Sequence, residues 1–276
     1  MRRVSARKSR RAEGGGTLRF VLFVAIAAWL FRSFLLAPFS IPSGSMLPTL
    51  FIGDYLVVSK WPYGYSRYSF PFGIPPISGR ILSDLPDRGD VVVFRPPGEE
   101  GEDFIKRVIG LPGDTVEVRD GAVILNGKPL ARSKEEPFAV PISVNSPCRR
   151  ITPKGIAFVV TQAPSCVYST YVETLPEGPS YRVIDQLDTT IADNFPATRV
   201  PAGRLFLMGD NRDDSLDSRY SVGEGGIGMV PLDHLVGRAD MIFWSTNGSA
   251  SYLKPWTWFT ALRGSRIGDS LTVGHQ

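Results

Sequence analysis

Near its N-terminus the chain contains a nearly continuous apolar run. Residues 20–31 are uncharged and mostly aliphatic or aromatic, and after Arg32 the apolar pattern resumes as far as Ala37. As a helix, residues 20–37 would be about 27 Å long, close to the thickness of a bilayer core. The apolar side chains would occupy every face, which favours a membrane span over the striped helix of a soluble core. We predict a single transmembrane helix over residues 18–38.

A cleaved signal peptide is the main alternative, because it has the same order of basic and apolar regions. Its small-residue cleavage site would lie near Ala37, where the following Pro38 would hinder cleavage. Residues 1–19 carry seven basic side chains and one acidic one, a net charge of +6. We therefore predict a basic cytoplasmic tail over residues 1–17, with the rest of the protein on the other side of the membrane.

Beyond the apolar run, short alternating segments predict β-strands. They are residues 90–94, 103–109, 204–208 and 240–244, and Asn126–Gly127 favours a hairpin turn. The 28 glycines and 23 prolines among 276 residues are typical of a chain with many turns. We predict a mainly β protein in which a single N-terminal transmembrane helix precedes an antiparallel, barrel-like domain.

The β region divides by composition. Residues 39–127 and 201–276 are predicted to form the main β domain, and residues 128–200 an inserted β and loop region without a compact motif of its own. Residues 61–87 are rich in aromatic side chains, glycine and proline. They are predicted to form a projecting ribbon that rests on the membrane surface, although an irregular loop packed on the body explains them equally well.

Composition also limits the chemistry. The net charge is +4 overall but −2 after residue 19, so a nucleic-acid partner has little support. A Ser-His-Asp triad could use only His234, since His275 is the penultimate residue. Cys148 and Cys166 do not have the spacing of a structural zinc site, but outside the cytoplasm they could form a disulfide or remain unpaired thiols. We expect no metal and no cofactor.

The segment Pro42-Ser-Gly-Ser45 has a rigid neighbourhood, with a proline on either side. Such a turn could present Ser45 as a nucleophile, which needs a base within hydrogen-bond reach. An ordinary turn explains the same residues.

Lys106 is the candidate base. On an alternating strand it shares a face with Phe104 and Val108, and burial between apolar neighbours lowers the pKa of a lysine. A neutral amine could then deprotonate Ser45. Arg107 cannot replace it because a guanidinium does not lose its proton. The alternative is a lysine that extends to solvent from the sheet edge.

A polar loop over residues 209–219 follows a predicted strand. Its alternating acids are reminiscent of a Ca²⁺ loop, but the central glycine and terminal glutamate of that motif are missing. A loop that orients other groups fits better, with Asp217 and Arg219 as an ion pair. A solvated run of charges is the alternative.

Taken together, five segments resemble, in order, the conserved boxes of bacterial type I signal peptidases, also called leader peptidases. They are Pro42–Leu50, Gly53–Val58, Arg88–Phe94, Phe104–Asp114 and Met208–Tyr220. The resemblance covers the membrane segment and about half of the remaining chain, but not the insertion closely. The stretch from Tyr220 to Pro231 is longer and richer in glycine than is usual in that family.

The resemblance implies a Ser/Lys dyad of Ser45, the nucleophile, and Lys106, the general base. It implies that the Ser43 hydroxyl binds the oxyanion beside the Ser45 backbone N–H, and that Ser215 orients the lysine amine. Asp217 and Arg219 would support that loop. The positions that correspond to pockets for small substrate residues are Ile41, Pro42, Met46, Phe104 and Ile105.

The implied function is that of a membrane-bound serine endopeptidase, which cleaves signal peptides from exported preproteins after Ala-x-Ala-like sites. Its partners would be preprotein signal peptides and the phospholipid membrane. It would be a single-pass protein of the bacterial cytoplasmic membrane, with its catalytic domain outside. One alternative keeps the dyad but changes the substrate, as in self-cleaving repressors or pilin-processing relatives. A second is a non-catalytic, membrane-tethered β interaction domain.

Overall fold

The computed structural model describes residues 9–98, 101–152, 155–159, 161, 163–176, 178–187, 191–251 and 253–272. One long helix precedes a body built almost entirely of antiparallel strands. The predicted fold class, mainly β behind a single apolar helix, is confirmed. Residues 1–8 of the predicted basic tail lie outside the described residues.

Helix α1 runs from Ser9 to Phe34 and includes one segment, Gly16–Phe34, that is long and apolar enough to cross a membrane. Almost none of that segment is buried, unlike the core helix of a soluble protein. The helix starts and ends earlier than the predicted span of residues 18–38. It ends at Phe34 because Leu36–Ser40 pairs with a neighbouring strand. Pro38 is tolerated there because this strand lies at the sheet edge.

The strands fall into three stretches of the chain. Before the insertion they are β1 Leu36–Ser40, β2 Asp54–Ser59, β3 Tyr65–Ser66, β4 Arg80–Ile81, β5 Val91–Phe94, β6 Phe104–Gly110, β7 Thr115–Arg119 and β8 Ala122–Leu125. Within residues 128–200 they are β9 Lys128–Pro129, β10 Ala131–Lys134, β11 Phe138–Pro141, β12 Arg149–Thr152, β13 Gly155–Phe158, β14 Ser165–Tyr168, β15 Thr170–Thr174, β16 Ser180–Ile184 and β17 Phe195–Arg199.

After the insertion come β18 Arg204–Met208, β19 Val230–Pro231, β20 Leu235–Ser245 and the short helix α2 Thr257–Thr260. Single 3-10 turns occupy Arg67–Ser69, Pro71–Gly73, Ile191–Asp193, Arg212–Asp214, Val222–Glu224, Leu232–His234 and Gly264–Arg266.

A seven-stranded sheet carries the centre of the body, in the order β1-β2-β20-β5-β6-β18-β19. Its central strand β5 is buried on both faces, which explains the unbroken run Val91–Phe94. One apolar cluster packs Met46 and Leu50 against Val91, Val93 and Ile242. This packing holds the segment that follows β1 against the sheet beside β6.

The insertion is joined to the body through a four-stranded sheet in the order β17-β7-β8-β9. A shared apolar cluster contains Val116 and Phe206 of the body with Tyr181 and Val183 of the insertion. Residues 128–200 therefore share a core with the body. A disulfide joins Cys148 to Cys166, and both residues pack against Leu47 and Phe51 in another cluster.

The aromatic segment, residues 61–87, contains the two-residue ladder β3–β4 and packs against the end of α1. The Phe70 ring lies 6.5 Å from that of Trp29 and 5.2 Å from that of Phe34. On the outer side Phe72 is 94% exposed, and Leu82 is also exposed. The segment is thus packed on its inner side, as the second interpretation expects, and carries exposed apolar side chains on its outer side.

Candidate active site

Ser45 lies in the turn after β1 and is fixed by backbone contacts from a distant loop. Its carbonyl accepts a hydrogen bond from the Asn211 backbone N–H at 3.0 Å, and the Asn211 side chain donates to the Gly44 carbonyl at 3.1 Å. The next residue, Met46, is buried in the core. The turn is therefore held from both sides, and the Ser45 side chain lines an open cleft.

Lys106 lies on β6 opposite Val92 of β5, and only 5% of it is exposed. Its Nζ donates a hydrogen bond to Ser45 Oγ at 2.7 Å. Burial lowers the pKa of Lys106 to about 8, although the nearby carboxylates of Asp217, Asp210 and Asp214 act in the opposite direction. The amine is thus within direct proton-transfer distance of a hydroxyl and loses its charge as the pH rises through about 8.

Two further serines lie at the cleft. Ser43 is exposed, and its Oγ is 3.5 Å from Ser45 Oγ. Ser215 is buried, and its Oγ has no hydrogen-bond partner among the described residues. The predicted hydrogen bond between Ser215 and the Lys106 amine is thus not formed in this structure.

The loop after β18 is held by a fully buried ion pair. Both Asp217 carboxylate oxygens accept bonds of 2.8 Å from the Arg219 guanidinium, and one also accepts the Gly209 backbone N–H at 3.0 Å. This pairing keeps the pKa of Asp217 below its usual range despite burial. The expected ion pair is present, and it fixes the loop that carries Ser215.

A second buried pair lies beside the first. Arg107 donates to the two oxygens of Asp210 at 2.8 and 2.6 Å. Because Arg107 follows Lys106 on β6 and Asp210 precedes Asn211, this pair ties the strand of the lysine to the loop that holds the Ser45 turn. The sequence interpretation had assigned no role to Asp210.

The cleft around Ser45 and Lys106 has a volume of about 470 Å³. Of the predicted pocket positions, four line it, namely Ile41, Pro42, Phe104 and Ile105. Met46 instead lies beneath the turn in the apolar core, because the side chain after Ser45 points away from the cleft into the sheet.

The insertion contributes a wall of this cleft that the sequence did not predict. Arg149 of β12 and Ile156 of β13 both line it. Arg149 is paired with Asp214, 2.9 Å apart, and Asp214 is adjacent to Ser215. The only local hint in the sequence is the neighbouring Cys148, whose disulfide anchors the start of the β12–β13 hairpin.

One group of carboxylates could hold a cation by its geometry. The carboxylate oxygens of Asp185, Asp193 and Asp213 lie within 4.8 Å of one another. Of these three residues, Asp213 also lines the cleft. Arg132 already pairs with Asp185, and Asp213 accepts the backbone N–H groups of residues 186 and 187. These partners give the carboxylates protein contacts, and we assign no ligand to them.

An apolar N-terminal helix, a β body and a serine hydrogen-bonded to a buried lysine are the features of a membrane-anchored serine peptidase. A family model described as signal peptidase, peptidase S26, matches residues 15–244. The chain therefore belongs to the signal peptidase family, peptidase S26. This confirms the resemblance seen in the sequence, and with the apolar helix it makes the protein a membrane-anchored peptidase.

Named relatives agree with the family match. Signal peptidase I of Rickettsia rickettsii (strain Sheila Smith) is 36% identical over 239 residues, which cover 84% of this chain and 79% of the relative. Signal peptidase I of Rickettsia prowazekii (strain Madrid E) is 33% identical over 275 residues, covering 93% and 92%. A crystal structure of a signal peptidase I from Enterococcus faecalis V583 is 26% identical, covers 56% of this chain and 97% of its own, and has a TM-score of 0.29.

Proposed function

We propose that this peptidase removes N-terminal signal peptides from exported preproteins after Ala-x-Ala-like sites, with Ser45 as nucleophile and Lys106 as general base. The observation that carries the proposal is the 2.7 Å hydrogen bond between Lys106 Nζ and Ser45 Oγ, made by an amine that is almost completely buried. A base must lie within about 2.6–3.2 Å of the proton it takes, and this one does.

In the acylation step, Ser45 Oγ attacks the scissile carbonyl while its proton passes to the neutral Lys106 amine. The carbonyl oxygen becomes an oxyanion, bound by the Ser43 hydroxyl and the Ser45 backbone N–H. When the C–N bond breaks, the ammonium returns the proton to the leaving amine. The signal peptide then remains as an ester on Ser45 until a water, deprotonated by Lys106, hydrolyses it.

Ser215 has a role once Ser45 is acylated. The ester oxygen is then a poorer partner for the amine, and Ser215 Oγ is buried, lines the cleft and is otherwise unpartnered. We propose that Ser215 then holds the Lys106 amine during deacylation, and that the Asp217–Arg219 ion pair fixes the loop that carries Ser215. The side chains that surround the small substrate residues are Ile41, Pro42, Phe104 and Ile105.

The membrane arrangement follows from the helix and the aromatic segment. Because basic residues precede the span, we infer that the N-terminus is cytoplasmic and that the β body lies on the outer side of the cytoplasmic membrane. The exposed Phe72 and Leu82 lie on the segment that packs against the end of α1. Ser45 follows the helix by eleven residues, so the cleft is close to where a signal helix leaves the bilayer.

The test uses the full-length protein in detergent with a preprotein that carries an Ala-x-Ala site. Wild type should release a product whose new N-terminus follows the second alanine, and a serine-directed acylating probe should label Ser45. Ser45→Ala should abolish cleavage and labelling, whereas Lys128→Met, an exposed change outside the cleft, should alter neither. Cleavage by Ser45→Ala would exclude Ser45 as the nucleophile. No cleavage and no labelling of the folded wild type would support the non-catalytic alternative.

A further inference from the structure

A second cavity, of about 520 Å³, lies between the end of α1 and the β body. The helix contributes Trp29 and Arg32, the aromatic segment contributes Phe70, and the body contributes Lys60 and Arg95. It is lined by apolar rings and by three cationic side chains. Since Arg32 is two residues from the end of the apolar helix, the cavity lies at the depth of the lipid headgroups.

Among the described residues, the cationic side chains of this cavity outnumber its acids. Lys60 is 4% exposed and forms no ion pair with any carboxylate in the described part of the chain. The acid in the cavity, Asp103, is already bound by Arg95 through bonds of 2.7 and 3.0 Å. The Lys60 amine lies 5.5 Å from the centre of the Phe39 ring. That ring is a weak substitute for an anion.

The electrostatics agree with this geometry. Burial lowers the pKa of Lys60 to about 7, and Arg32, Arg95 and Arg80 act in the same direction, against the attraction of Asp103. A buried ammonium that lacks a hydrogen-bonded anion costs free energy, and a bound anion would remove that cost.

We propose that this cavity binds the phosphate of an anionic glycerophospholipid, with Lys60, Arg32 and Arg95 as its donors and the rings of Trp29 and Phe70 against the upper acyl chains. The side chains that line the cavity favour a lipid over a free phosphate ion. An ion would use only the cations, whereas this cavity adds an apolar wall that opens beside a membrane-spanning helix. A zwitterionic lipid fits less well, because its own cation would approach three others.

The experiment measures lipid binding directly and does not depend on the proposed peptidase activity. The full-length protein in a neutral detergent is titrated with phosphatidylglycerol, or with phosphatidylcholine of the same acyl chains, and bound lipid is counted by native mass spectrometry. Wild type should prefer phosphatidylglycerol, and Lys60→Met should reduce its affinity roughly tenfold, as expected for a hydrogen bond to a charged group. Lys128→Met, which removes an exposed lysine outside the cavity, should bind like wild type.

Three results would overturn the proposal. The first is that wild type binds the two lipids equally. The second is that wild type and Lys60→Met bind phosphatidylglycerol equally. The third is that inorganic phosphate displaces the lipid at the same concentration as competing phosphatidylglycerol does. The last result would assign the site to a free ion.

Folding of the variants is checked separately. Lys60→Met replaces a buried charge with an apolar chain of similar length, so without lipid it should unfold at or above the wild-type temperature. If Lys60→Met unfolds at a lower temperature than wild type, the lipid preference is measured in Arg32→Gln instead, because Arg32 is exposed at the helix end. Loss of the phosphatidylglycerol preference in Arg32→Gln supports the site, and an unchanged preference overturns it.

Discussion

Two lysines of this protein are buried almost equally, Lys106 at 5% and Lys60 at 4% exposure, yet their amines face different surroundings. Lys106 touches the Ser45 hydroxyl and is near three carboxylates, which keep its pKa at about 8. Lys60 lies beside an aromatic ring and is influenced by three arginines and by Asp103, and burial lowers its pKa to about 7. Burial alone therefore produces a neutral amine but not a general base, which also needs a proton donor within reach.

The largest effect should come from removing the two amines in turn. Lys106→Met should lower kcat/KM by about 10²–10⁴-fold, the usual contribution of a positioned base, since among the described residues Lys106 is the base that is hydrogen-bonded to Ser45 Oγ. Lys60→Met should lower it far less, because the Lys60 amine touches no reacting atom. Both are measured with purified protein on a preprotein substrate. Comparable losses in the two folded variants would show that Lys106 matters no more to the reaction than Lys60 does.

The oxyanion donor gives the next largest effect. Ser43→Ala should reduce kcat roughly 10²–10³-fold, as removal of a single donor does in comparable sites, with KM little changed. The reason is that Ser43 Oγ, 3.5 Å from the attacking oxygen, contacts the charge only as it forms. Ser43→Thr retains the hydroxyl and serves as the control. An unaltered kcat in Ser43→Ala would exclude this role.

The pH profile of kcat/KM should show which of the two amines acts as the base. Lys106 must be neutral to act, so kcat/KM should rise with pH through about 8 and fall about tenfold per unit well below that value. Asp214→Asn removes a carboxylate that favours the ammonium and should move the midpoint to lower pH. Lys60→Met should leave the midpoint in place, because Lys60 is not among the groups that shift Lys106. If Lys60→Met moved the midpoint, the profile would report the titration of Lys60 and not that of Lys106.

From local sequence Ser45 and Lys106 were only candidates beside ordinary alternatives, and their pairing, across a separation of 61 positions, came from the family resemblance. The ion pair of the active loop is local, because an acid two residues before an arginine can be recognised without long-range information. Met46 was placed in the cleft from the family pattern, but the direction of its side chain depends on packing against Leu50 and Val91.

The wall from the insertion could not be predicted for a physical reason. Arg149 pairs with Asp214, which lies 65 positions later in the chain, and the pairing depends on how the hairpin folds back over the sheet. The end of the helix was misjudged similarly. The sequence showed an apolar run that continued to Ala37, but the pairing of Leu36 with Ser59 converts its last residues into a strand.

The smallest effect on activity should come from Arg149, in the wall of the cleft that the insertion contributes. Arg149→Met breaks the contact with Asp214, a partly exposed pair that contributes up to about 1 kcal/mol, so kcat/KM should fall about three- to fivefold. The loss should appear in KM, because the hairpin lines the cleft but does not touch Ser45 Oγ or the Lys106 amine. Arg150→Met, on the same strand but outside the cleft lining, is the matched control. An equal loss in both variants would indicate a weakened hairpin, whereas a loss confined to kcat would mean that Arg149 acts on Lys106 through Asp214.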